Sequence, residues 1–177
     1  MNAKILALQS ATPAAADELS AWFPDAKSAL YWGGPEIRVP LQRDQLVSLI
    51  EEAGTLSFAA LRDERLVGFC QLRGFDPEGR TIRAARIAVA PAERGRGTGG
   101  AMVALLCREA FARFDVDRVE LFVVADNLPA IRCYSRIGFV NLGLQERHLP
   151  GPDGEYPLYK MALSRDALNL AIADGVC

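Results

Sequence analysis

Seven consecutive residues carry the strongest chemical signal in this chain: Arg94-Gly95-Arg96-Gly97-Thr98-Gly99-Gly100, at the mouth of a helix-like pattern. Glycines lack Cβ atoms, so successive backbone N–H groups can converge on one point. At a helix N-terminus those donors add to the helix dipole and form an anion site. Arg94 and Arg96 supply charge and paired donors suited to phosphate. A glycine-rich turn that binds nothing is the bland alternative, and it is disfavoured because each glycine costs roughly 1 kcal/mol at a helical start. Gly95-x-Gly97-x-x-Gly100, with Asp126 ending the next strand, also fits a dinucleotide fingerprint. That fingerprint places its first glycine almost directly after a strand, whereas Ala90–Arg94 intervenes here. A P-loop is excluded, because no Gly-Lys-Ser/Thr follows.

Downstream stands Asn127-x-x-Ala130-x-x-x-Tyr134-x-x-x-Gly138-Phe139. Asn127 and Tyr134 are two helical turns apart and share a face. A phenol of pKa about 10 is protonated at neutral pH and can donate to a leaving group; a tyrosine that only packs is the alternative. His148 is the single histidine, and Cys70, Cys107, Cys133 and Cys177 form no C-x-x-C pair. No metal site and no disulfide framework are expected, and the cysteine usage suggests a reducing cytoplasm. Trp22, Phe23, Tyr31 and Trp32 cluster in one stretch that could surround a cation or simply fill a core.

The elements that must hold these groups follow from periodicity. Lys4–Gln9 alternates like an edge strand. Thr12 and Pro13 open a helix to about Trp22, with Thr12 as N-cap. Further helices are expected at Ala26–Trp32 and Arg43–Ala53. Thr55–Leu61 and Leu66–Arg73 form a hairpin, and Thr81–Val89 is a third strand. Val103, Leu106, Cys107, Ala110 and Phe114 make one buried face of the helix after the glycines. Val119–Ala125 is a continuous apolar strand of the kind buried on both faces. Asn127 caps a short helix that Gly138 ends. Phe139–Gln145 and Leu158–Leu163 are the last strands, with Gly151–Gly154 as the loop between. This order predicts a mixed sheet in a layered α/β fold.

The chain has 177 residues, 50% of them hydrophobic and 24% charged, so one domain with a real core is expected. The longest apolar runs, Ala101–Cys107 and Leu121–Ala125, are far short of the roughly 20 residues a bilayer needs. The start at Met1-Asn2-Ala3-Lys4 shows no cleavage-site pattern, so no signal peptide is expected. The net charge of −2 argues against nucleic acid. Charge is uneven: Arg80 to Arg136 holds ten arginines against six acidic residues, and the flanks are acidic. An anion held in the middle and a cationic partner at the flanks would fit that distribution, as would plain solvated surface.

Val89-x-Pro91-x-x-Arg94-Gly95-x-Gly97-x-Gly99 resembles the acetyl-CoA signature of the GNAT superfamily of N-acetyltransferases, and the Asn127–Phe139 block resembles the second block of that family. The resemblance implies a mostly antiparallel sheet of about 6–7 strands flanked by helices, of acyl-CoA N-acyltransferase type, in one domain over 1–177. N-terminal helices, about 12–53, would lie on the acceptor side, and the CoA-binding core would span about 80–140. Two strands would splay, and the pantetheine arm would pair with the free edge through backbone groups of Ile87 and Val89. One N–H there could hold the developing oxyanion. The pyrophosphate would sit on Gly95, Arg96, Gly97, Thr98, Gly99 and Gly100 with Arg94 at its edge. Asn127 and Ala130 would hold the arm from the other side, and Tyr134 would be the general acid. Trp22, Tyr31, Trp32 and Gly33, with Phe23, Gly34 and the Gly151–Tyr156 region, would form the acceptor pocket.

The resemblance therefore implies acetyl transfer from acetyl-CoA to a primary amine by direct attack, without metal, in a monomer or homodimer. Many relatives carry a glutamate in the strand before the glycine loop. Thr81–Arg86 has no acid, so the base stays open among Glu120, Asp126, Glu146 and His148. A non-catalytic CoA-binding or sensing module, a dinucleotide enzyme and a covalent route through Cys133 remain as alternatives.

Overall fold

Apolar, strand-forming runs over 55–89 produce three long strands, and these frame the molecule. The computed structural model describes residues 5–175. Met1–Lys4, Val176 and Cys177 lie outside the described residues. Strand β2 (Thr55–Arg62) turns into β3 (Arg65–Asp76) through Asp63 and Glu64 at φ of 51° and 61°. Two positive φ values at a two-residue loop suit the right-handed twist of a hairpin. β3 runs antiparallel to β4 (Thr81–Val89). β1 (Leu6–Ser10) edges the sheet against β2.

Seven strands follow the order β1-β2-β3-β4-β5-β9-β6. β5 is Arg118–Val124, β6 is Val140–Leu144 and β9 is Leu158–Ser164. Among the described residues only β4 and β5 pair in parallel. A parallel pair needs a crossover, and α4 (Thr98–Arg113) supplies it. Its residues Val103, Leu106, Cys107 and Ala110 are fully buried against the sheet, as the periodicity requires. Phe114, expected on that buried face, instead caps the helix and is only half-buried, its ring 5.1 Å from that of Phe75.

The N-terminal helices form a second core over the sheet. α1 (Ala15–Leu19) is shorter than the expected helix and continues as a 3-10 turn, Ser20–Trp22. Its N-cap is Ala14 and not Thr12, whose carbonyl instead closes the preceding turn onto Ala15. α2 (Ala26–Gly33) starts in a capping box, where the Asp25 carboxylate accepts from the Ser28 amide at 2.7 Å. α3 (Arg43–Ile50) stops three residues short of expectation. Leu19, Leu46 and Phe69 are fully buried where these helices meet β3.

Three further expectations need correction. The segment Gly151–Gly154 is the turn of a small hairpin, β7 (Leu149–Gly151) with β8 (Gly154–Tyr156), which packs Leu149 on Leu30 and Val124. β5 is not buried on both faces: Phe122 is 39% exposed, because β5 leaves β4 and opens a cleft on that side. A terminal helix, α6 (Arg165–Ala173), was not anticipated. Ser164 caps it by accepting from the Ala167 amide at 3.2 Å, and Leu168 anchors it. That cap and the Leu168–Ala171 spacing were readable signals.

Candidate functional site

β4 and β5 pair only at Thr81–Arg118, Ile82–Val119 and Arg83–Glu120. Beyond Arg83 the two strands separate, and β4 keeps an unpaired edge from Ala84 to Val89. Two devices hold that edge open. The first is a bulge: Gln71 faces Ala85 while Phe69 faces Ala88, so β4 carries one extra residue. The extra residue centres on Arg86, whose φ is +47°. The second is Trp32 of α2, whose indole Nε1 donates to the Arg86 carbonyl at 2.8 Å in a buried bond.

The gap is a cleft of about 460 Å³ lined by Ala84–Val89, Leu121–Val124, Asn127, Ala130 and Tyr134, with Tyr31, Trp32 and Arg94 at its rim. Ala90 donates to Val67 at 3.0 Å. Alternation along an antiparallel ladder therefore turns the backbone of Val89 toward the open edge. The Val89 carbonyl accepts from Arg94 Nε at 3.1 Å, which leaves its N–H for the cleft. The Arg94 Nη2 donates to the Trp22 carbonyl at 2.9 Å. Arg94 thus fastens the 3-10 turn to the glycine loop.

The glycine loop lies at the end of β4. Gly95 and Gly97 have φ of 74° and 82°, which side-chain-bearing residues avoid. Gly97 caps α4, and the amides of Thr98, Gly99 and Gly100 in the first turn have no intrahelical acceptor. Gly99 and Gly100 are not forced by backbone strain; a Cβ there would meet Val89 and Cys133 at ordinary contact distances of 3.4 to 3.9 Å. Thr98 is buried, and its hydroxyl donates to Glu93 at 3.1 Å and accepts from Arg62 at 3.3 Å. Arg62 also pairs with Glu93. The three side chains lock the loop from beneath while its amides stay outward.

On the facing wall, α5 (Leu128–Ile137) is capped by Asn127, whose Oδ1 accepts from the Ala130 amide at 3.4 Å. Gly138 ends it at φ 105°. Tyr134 packs its ring 5.9 Å from Phe139. Its hydroxyl makes no hydrogen bond among the described residues, and burial pushes its phenol pKa well above the usual value. It stays protonated at the cleft.

A second cleft of about 650 Å³ adjoins the first, between α2 and the segment 145–150. Both share Tyr31, Trp32, Ala85, Arg86 and Phe122. Gly33 and Gly34 line the second, and Trp22 lines neither: it is buried in the helical core. Tyr31 donates to Asp126 at 2.8 Å, and Lys27 stands 3.6 Å from the same carboxylate. These contacts tie α2 to the end of β5 and occupy Asp126. Glu120 is held by Lys160 and Arg118, each at 2.8 Å; burial acts upward on its pKa, but those bonds prevail and hold it low. Neither acid lines a cleft. Glu146 and His148 line the second cleft, where His148 Nδ1 lies 3.2 Å from Glu155.

Sequence reasoning missed Arg86. It is 9% exposed, with Nη1 bonded to Glu52 at 2.7 Å and to Gln71 at 2.9 Å. Only its sequence neighbourhood, an arginine inside an apolar strand, hinted at a bulge.

A family model for the Acetyltransferase (GNAT) family matches residues 16–139. This chain belongs to that family. It is 43% identical over 83 residues to a mycothiol acetyltransferase of Brachybacterium faecium, covering 45% of this chain and 24% of that protein. The chain spans between 24% and 42% of the length of the mycothiol acetyltransferases it matches. Among solved structures it is similar to Mycobacterium smegmatis RimJ in complex with CoA-disulfide, with a TM-score of 0.80 and 19% identity over 97% of this chain and 90% of that one. It is also similar to spermidine N-acetyltransferase from Vibrio cholerae in complex with CoA and spermine, with a TM-score of 0.75 and 19% identity over 93% and 98% of the two chains. These likenesses establish the seven-stranded, mostly antiparallel acyl-CoA N-acyltransferase fold.

Proposed function

We propose that this chain transfers the acetyl group of acetyl-CoA to a primary amine by direct attack. The observation that carries this reading is the splayed β4–β5 edge, with a partnerless Tyr134 hydroxyl on its facing wall. The pantetheine arm adds to the free edge of β4 as an extra strand would. The pyrophosphate rests on the first-turn amides of α4 at Thr98–Gly100. The Val89 N–H is placed to hold the oxyanion, and Asn127 borders the arm from α5. That two of the similar structures are complexes with CoA or CoA-disulfide supports the donor.

The amine nitrogen attacks the thioester carbonyl carbon, and the C–S bond breaks. The departing thiolate takes the Tyr134 proton, which solvent restores. The new amide nitrogen loses its extra proton to water. The second cleft, open to solvent beside the thioester, is the route for the amine.

Tyr134→Phe tests the reading. We expect a fall in kcat of about a hundredfold or more, the range of a lost general acid, with CoA affinity by calorimetry unchanged. Turnover equal to that of the parent protein would remove Tyr134 from the mechanism. A CoA-binding module without activity is the second reading, favoured by the lack of any carboxylate at the junction of the clefts; it would bind CoA yet release no thiol with any amine.

A further inference from the structure

The acidic flanks of the sequence pointed to a cationic acceptor. The second cleft has the opposite character. Four arginines line it, Arg73, Arg83, Arg86 and Arg147, against the carboxylates of Glu36 and Glu146. Two of the four pair with one shared group: Glu52 bonds Arg73 at 2.8 Å and Arg86 at 2.7 Å. Glu36, largely exposed, reaches Arg86 only at 3.7 Å.

Arg83 and Arg147 are left over. Among the described residues neither side chain makes a hydrogen bond or ion pair. The Arg83 guanidinium instead lies over the Phe122 ring, 4.9 Å from its centre. Arg83 is also the direct cross-strand partner of Arg73. Like charges in directly opposed positions destabilise a sheet; the acid nearest Arg83, Glu120 across β5, is already bonded to Arg118 and Lys160 and offsets this pair only in part. Burial, then Arg73, and further Arg147 all act to lower the Arg83 pKa, with only Glu120 opposing. The adjoining Arg86 side chain is more than nine-tenths buried, and its Nε has no hydrogen-bond partner. A groove built this way is short of anionic charge.

We propose that the acceptor is a compact primary amine carrying a carboxylate or phosphate group, which Arg83 and Arg147 bind while the amine reaches the thioester. This deepens the acyl-transfer reading and rests on it. The geometry sets the scale. Arg83 stands two residues along β4 from Ala85 at the junction of the clefts, about 7 Å of strand. An anion a few bonds from the nitrogen spans that distance. Guanidinium groups accept carboxylate or phosphate through paired donors. Their field also disfavours the protonated form of a nearby amine. The arginines thereby help present a neutral nucleophile where no carboxylate base lines the junction. Polycations such as spermidine meet repulsion in the same place.

The test is a panel of matched amines with acetyl-CoA, read as free thiol and expressed as kcat/KM per unprotonated amine. Ethanolamine is compared with O-phosphoethanolamine, β-alaninamide with β-alanine, and spermidine stands as the polycation. We expect the anionic member of at least one pair to exceed its neutral partner by tenfold or more. The two pairs distinguish phosphate from carboxylate. In Arg83→Gln, and separately in Arg147→Gln on an exposed segment where folding is not at stake, that ratio collapses toward one. Calorimetry with CoA confirms that each variant is folded. Turnover of neutral amines or spermidine at rates equal to or above the anionic ones overturns this proposal and leaves acyl transfer standing. Absence of thiol release from every amine, with CoA still bound, overturns both.

Discussion

Replacing Trp32 by phenylalanine isolates the device that keeps the β4 bulge in shape. The indole is 8% exposed, stacks on Phe23 at 4.6 Å and meets Phe69 edge-on at 6.1 Å. Phenylalanine retains most of that ring contact. It loses the buried Nε1 bond to the Arg86 carbonyl, 2.8 Å long, and leaves that carbonyl without its donor. An orphaned buried polar group costs about 1–3 kcal/mol. For a chain of this size each kcal/mol lowers Tm by about 2–4 °C, so calorimetry should show a drop of about 2–12 °C. The carbonyl belongs to the residue at φ +47° that offsets Ala84–Val89 from β5. Loosening it displaces the edge that would grip the thioester, and displacements near 1 Å cost up to about a hundredfold in rate. We expect kcat/KM for acetyl-CoA to fall about ten- to a hundredfold. Phe69→Leu removes a core ring touching the same indole and keeps the hydrogen bond; it should lower Tm with a much smaller effect on kcat/KM. A Trp32→Phe protein with Tm within about 1 °C of the parent and full kcat/KM would refute the reasoning.

Gly68→Ala places a Cβ against the Met102 sulfur, 3.1 Å from the Ala88 carbonyl and 3.3 Å from the Ala60 Cβ; overpacking of about 1–3 kcal/mol follows, measurable as a lower urea midpoint. Asp25→Ala removes the cap of α2 and should lower the urea midpoint in the same assay. Burial raises the pKa of both Tyr134 and Cys70. Groups raised in the folded state favour folding below their unfolded pKa values, about 8.5 for Cys and 10 for Tyr. That stability is lost as pH climbs above them, so Tm should hold to about pH 8 and decline beyond. Cys70→Ala should delay the decline. By the same sign Tyr134 keeps its proton, and kcat should show no alkaline loss from it up to about pH 10.

The sequence by itself determined the parts whose cause is local. Positive-φ demands at Gly95 and Gly97, the Asn127 cap, the Gly138 terminator and the buried stripe of α4 each depend on a few neighbouring residues, and each stands where the pattern put it. Thr81–Val89 was legible to the residue, because strand periodicity needs no partner to be seen. Trp22 and Trp32 show where local reading stops: identical residue types ten positions apart became core filler and a hydrogen-bond donor to the bulge.

Tertiary structure alone decided the rest, because it depends on which distant groups meet. The bulge at Arg86 arises from register between β3 and β4, and no single strand encodes register. The separation of β5 from β4 after three paired residues is set by what packs on either side of them. The charge of the second cleft is the clearest case. Net charge along the chain suggested acidic surroundings, yet Arg73 of β3, Arg83 of β4 and Arg147 of the segment before β7 line one cleft. Electrostatic character belongs to distances in space, and those exist only once the chain has folded.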